Sequence, residues 1–78
     1  MNFTLDNIID AIKKADTQID HAQLTADAVL TEIGADSLDM MNVFVELEDV
    51  IGFIVPDEEV DELVTARQIY DYAIAKKS

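Results

Sequence analysis

The sequence has no cysteine, one histidine, one proline and two glycines, and these shortages remove whole classes of chemistry. Without thiols there is no disulfide framework and no thiolate metal site. With glycine only at positions 34 and 52, a Gly-rich phosphate cradle is excluded. A serine nucleophile needs a base, and the lone His21 lies in a polar connecting segment, where an imidazole is ordinarily a surface group. The acids do not spell a calcium loop, since Asp-x-Asp-x-Asp-Gly spacing is missing. Asp57, Glu58 and Glu59 are consecutive and would point different ways on a helix. No catalytic residue and no metal ligand set is assigned, and an autonomous enzyme is not expected.

Long apolar runs are missing as well: none approaches the roughly 20 residues that span a bilayer. The opening MNFTLDN lacks the basic start and apolar core of a secretory leader. One cytoplasmic domain over residues 1–78 is the expectation.

Basic residues are scarce. Five face seventeen acids, a formal net charge of −12, and neither lysine nor arginine occurs from position 15 to 66. That stretch carries fourteen acids. Such a surface repels phosphate backbones and anionic lipid, which argues against nucleic acid and membrane as partners. The acids sit among well-patterned apolar residues, so disorder is not the reading. They form either a solvated face or a match for a basic protein surface. Crowded like charge also predicts that salt or millimolar magnesium raises the melting temperature by screening. Thermal scans with and without either check this, and melting indifferent to both would mean acids too far apart to repel.

Apolar spacing then defines the elements. Leu5, Ile8, Ile9 and Ile12 make an amphipathic stripe, with Thr4 to cap it and Lys13-Lys14 at its end, predicting helix from about Leu5 to Ala15. Residues 16–35 form a long polar connection holding a short helical turn, anchored by Ile19, Leu24, Val29, Leu30 and Ile33. Helical spacing returns with Met40, Val43, Phe44, Leu47 and Ile51, capped by Asp36 in a box-like relation to Asp39 and stopped by Gly52. Phe53-Ile54-Val55 is too short for a confident strand. Asp57 is expected to cap one or two turns anchored by Val60 and Leu63. Thr65-Ala66-Arg67-Gln68 reads as a capping box opening a last helix with Ala66, Ile69 and Ala73 inward and Lys76-Lys77 at its end. The sum is an all-α bundle of three principal helices plus a short one.

Ser37 is the chemical oddity. It opens a helix beside Asp36, and small Gly34 and Ala35 leave room for an approaching active site. A phosphate ester formed there would lie near unpaired N–H groups at the positive helix end, worth about 0.3–1 kcal/mol when exposed. Asp36 could help hold a divalent cation bridging an incoming phosphate. Asp-Ser as a mere helix start is the competing reading.

Three segments, GADSLD around Ser37, then VELED, then IVPDEEVDEL, together resemble the acyl carrier proteins of fatty acid and polyketide synthesis. The resemblance runs almost without gaps from Ile33 to Tyr72. It implies that Ser37 receives 4'-phosphopantetheine from coenzyme A, assisted by Asp36, through a separate magnesium-dependent phosphopantetheinyl transferase. The arm would end in the thiol that the chain lacks, carrying acyl groups as thioesters among acyl-transferring and chain-elongating synthases. It also implies that the second helix is the recognition element. Leu38, Met41 and Val45 fall on a flank away from the core stripe at about 100° per residue, with Asp39, Glu48 and Asp49 around them. Apolar contacts rimmed by acids suit a basic docking patch on a partner of a monomeric carrier. In such carriers the interior can shelter the acyl chain, which makes Val43, Phe44, Leu47, Ile51 and Leu63 candidate liners. Asn42 stands where glutamate is usual, Glu46 where a small residue is common, and Gly52-Phe53 alters the helix exit, which leaves the pathway open. A peptidyl or aminoacyl carrier and a non-covalent acidic adaptor are the alternatives.

Overall fold

The computed structural model describes residues 3–15 and 18–77. Asp16 of the acidic stretch and the side chain of Lys77 lie outside the described residues. Among those residues the elements are α1 (Leu5–Lys14), a 3₁₀ turn (Leu30–Ile33), α2 (Ser37–Ile51), the single-turn α3 (Asp57–Val60) and α4 (Ala66–Lys77). No described residue is in a strand. The all-α reading and its helix order hold.

Each helix starts where local chemistry dictates. Thr4 accepts from the Asn7 N–H at 3.2 Å, while Asn7 accepts from the Thr4 N–H at 2.9 Å, closing a reciprocal cap on α1. At α4 the Thr65 hydroxyl accepts from the Gln68 N–H at 3.1 Å. The Gln68 side chain, however, accepts from Val64, one residue before the expected partner. A further correction concerns α3. Pro56 is its cap and Asp57 its first residue, with no side-chain cap bond, because the fixed proline φ of −61° already sets the turn.

The predicted stripes close on one another. Ile8, Ile12, Leu30, Leu47, Ile51, Ile69 and Val43 are the largest fully buried side chains, and α1 packs against both α2 and α4. Burying a Leu or Ile of this kind stabilises by about 1.5–3 kcal/mol, so these few residues dominate the fold. Phe3 meets Tyr70 edge-on at 6.0 Å, tying the start of the described chain to α4.

The long first connection is held at several points. Leu30 donates to the Val64 carbonyl and Arg67 to the Ala26 carbonyl, each at 2.9 Å, while the Arg67 guanidinium reaches Asp27 at 2.7 Å. That hydrogen bond with Asp27 raises the Arg67 pKa.

Helix α3 buries none of its four residues fully, and Val60 packs half-buried against the core. Tyr72 on α4 donates to Glu59, contacts Phe53 at 6.2 Å and has the Lys76 ammonium 5.6 Å from its ring. The bond to Glu59 stabilises the protonated phenol and pushes its pKa up to about 12.

Candidate functional site

The chain reaches Ser37 through a tight elbow. Gly34 has φ +123°, and a Cβ there would stand 2.6 Å from the Gln18 carbonyl oxygen, so backbone passes backbone with no room for a side chain. Ala35 follows, buried, its N–H donating to Leu30 at 3.1 Å. Asp36 is extended (φ −100°, ψ −174°) and caps α2 by accepting from the Asp39 N–H at 2.8 Å. Its carbonyl takes the Met40 N–H at 3.0 Å. The N–H groups of Ser37 and Leu38, the first two of the helix, have no intrahelical acceptor by geometry.

Ser37 is exposed at this end of α2. It lies on the rim of a groove of about 420 Å³ whose wall also contains Thr31, Met40, Met41, Asp57, Val60, Asp61 and Val64. Three distant segments thus meet beside one hydroxyl: the 3₁₀ turn, the start of α2, and α3 with the loop after it. Among the described residues, no three His, Asp or Glu side chains converge as a metal site would require.

The expected flank of α2 faces solvent. Leu38, Met41 and Val45 are 64%, 65% and 61% exposed, a row of apolar side chains unusual for so small a surface. Asp36 and Asp49 are exposed and Glu48 is half-buried. Asp39 departs from the expected rim. It is only 6% exposed and its carboxylate turns inward, accepting from the Gln18 and Asp36 N–H groups. A carboxylate in that position is a backbone anchor and leaves the acidic border of the flank to its neighbours.

Val43, Phe44, Leu47, Ile51 and Leu63 are all buried in the core. None of them lines the groove beside Ser37. Met40, Val60 and Val64 supply its apolar surface instead. Met40 belongs to the same stripe one turn earlier, and Val60 and Val64 are four residues apart, which is the signal that could have picked them out. Within the short Phe53-Ile54-Val55 run, Ile54 is 73% exposed between half-buried Phe53 and buried Val55, the alternation of an extended segment.

The site is thus an exposed serine at a capped helix start, on a small helical bundle of strongly acidic composition. Residues 7–73 match the family described as phosphopantetheine attachment site, and the chain belongs to that family. Its prosthetic group is covalently attached 4'-phosphopantetheine, supplied by a phosphopantetheinyl transferase, and the protein is a carrier working with synthase enzymes. The surface around Ser37 fits such a group. Ser37 is exposed, the Ser37 and Leu38 N–H groups at the helix start are the kind that would receive a phosphate, and the adjoining groove has both apolar and polar walls that would take an extended arm.

Proposed function

We propose that the chain is an acyl carrier protein with Ser37 as its attachment residue, serving fatty acid, polyketide or related specialised synthesis in the cytoplasm. The observation that carries this is the exposed Ser37 hydroxyl in Asp36-Ser37-Leu38, at the mouth of α2 and inside the matched region. In the attachment step the Ser37 oxygen bonds to the phosphorus that carries the pantetheine half of coenzyme A. The bond from that phosphorus to the adenosine half breaks, and the hydroxyl proton passes to a base of the transferase. Asp36, capping the helix with one carboxylate oxygen, keeps the hydroxyl at the corner and leaves acidic charge for the transferase's magnesium. Once attached, the arm supplies a thiol that bears cargo as a thioester.

Leu38, Met41 and Val45 provide the docking row, bordered by Asp36, Glu48 and Asp49. Acid charge draws in a basic partner surface, and burial of the three apolar side chains holds it. Acyl cargo would start along Met40, Val60 and Val64. Deeper shelter among Val43, Phe44, Leu47, Ile51 and Leu63 requires the core to part. The strong acidity favours acyl over aminoacyl cargo.

Incubation with coenzyme A, magnesium and a broad-specificity transferase, followed by acyl or aminoacyl donors and their loading enzymes, tests the reading. One phosphopantetheinyl adduct and preferential acyl loading are expected by intact mass. Aminoacyl loading instead would make the chain a peptidyl carrier, and no adduct at all would favour an acidic adaptor.

A further inference from the structure

Asp39 is the one carboxylate of α2 that the core takes in, and one of the groups it holds is the N–H of Asp36, the residue before Ser37. One oxygen, Oδ2, accepts the Asp36 N–H and the Gln18 N–H, each at 3.3 Å. The first bond closes the reciprocal cap with Asp36, whose own carboxylate holds the Asp39 N–H. Ser37 is therefore enclosed between two residues locked to each other. The second bond reaches across 21 residues of sequence to the segment just after α1. That segment also runs along the same elbow: the Asp20 N–H donates to the Ile33 carbonyl at 3.0 Å, and the Gln18 carbonyl oxygen lies where a Cβ on Gly34 would stand 2.6 Å from it.

From this geometry we infer that Asp39 is a positioning residue for modification of Ser37, acting as a hydrogen-bond acceptor and not as a charged contact for a partner. It fixes the start of α2 against residues 18–20 and so fixes where the Ser37 hydroxyl stands. The inference rests on the reading of Ser37 as the attachment residue. Its distinguishing feature is that both bonds fall on a single oxygen. An asparagine side chain has one carbonyl oxygen with two lone pairs, enough to accept both donors, yet it carries no charge. Asp39→Asn keeps what a positioning residue needs and removes what a docking charge needs. Asp39→Ala removes both.

Initial rates of transfer from coenzyme A are to be measured for the full chain, Asp39→Asn and Asp39→Ala, at a temperature where circular dichroism shows each folded. Amide exchange at Gln18 and Asp36 is followed in parallel. Asp39→Asn is expected within about threefold of the unaltered chain, with both amides still protected. Asp39→Ala is expected to lose about ten- to a hundredfold, mainly in kcat, as a misplaced reacting group does, with both amides exposed to exchange. Equal losses in the two variants, falling on KM and shrinking with added salt, would make Asp39 a charge contact and overturn the inference. Unchanged rates in Asp39→Ala would overturn it as well. Should Asp39→Ala not fold, Asp39→Asn decides alone, because only a charge role predicts its loss. An unaltered chain that accepts no group would defeat the attachment reading itself, a result separate from any difference among the variants.

Discussion

Ser37→Ala is expected to abolish phosphopantetheinylation completely while leaving the bundle intact. The loss is total because no other side chain can substitute for the bond-forming oxygen: Thr31, the other hydroxyl on the groove wall, sits on the 3₁₀ turn and not at the helix mouth. The fold is spared for equally local reasons. Ser37 is exposed, and capping of α2 is done by the Asp36 side chain, one residue earlier. Alanine is the best helix former, so stability should stay within about 0.5 kcal/mol of the unaltered chain. Urea denaturation beside the transfer assay separates the two effects. A variant that unfolds would show that the hydroxyl has a structural task, and a variant that still takes up the group would place the attachment elsewhere.

Gly34→Ala is expected to have the largest effect on stability. At φ +123° an L-residue is strained by about 1–3 kcal/mol, as other sparsely populated backbone conformations are. The new Cβ would also stand 2.6 Å from the Gln18 carbonyl oxygen, a backbone atom that cannot swing aside. Relief requires the 18–20 segment to move away from the elbow, which breaks the bonds from Asp20 to Ile33 and from Gln18 to Asp39. A domain of this size loses roughly 4–8 °C of melting temperature per kcal/mol, so a fall on the order of 10 °C or more is expected by thermal denaturation. Slower transfer to Ser37 should accompany it, because the start of α2 loses its brace. Melting equal to that of the unaltered chain would mean the elbow can rearrange without cost.

These predictions draw on two kinds of legibility. Periodicity was sufficient for α1 and α2: Ile8, Ile12, Val43, Phe44, Leu47 and Ile51 repeat at helical spacing and are the buried face. Capping chemistry located the helix starts because an oxygen three residues before its N–H donor is a local relation. The fate of Asp39 could not be read in this way. A helical wheel sets it beside an exposed flank, but the Gln18 N–H that draws it inward comes from another part of the chain. The groove escaped for the same reason, since Thr31, Met40 and Val60 become neighbours only after the loop folds back onto α2. The cap of α3 was misplaced because Pro56 does with its ring what an Asp side chain does elsewhere.

Among the described residues no helix is long and apolar enough to cross a membrane. Among the described residues the exposed large apolar side chains are Leu38, Met41 and Val45 in a row on α2, Ile54 in the loop after it, and Ile74 on α4.

The most direct measurement is fragmentation of the transferase-treated chain in a mass spectrometer, reading which residue bears the added group. The account predicts one phosphopantetheinyl group, on Ser37 and nowhere else. A group found on any other residue, or a fully treated chain carrying none, would contradict it.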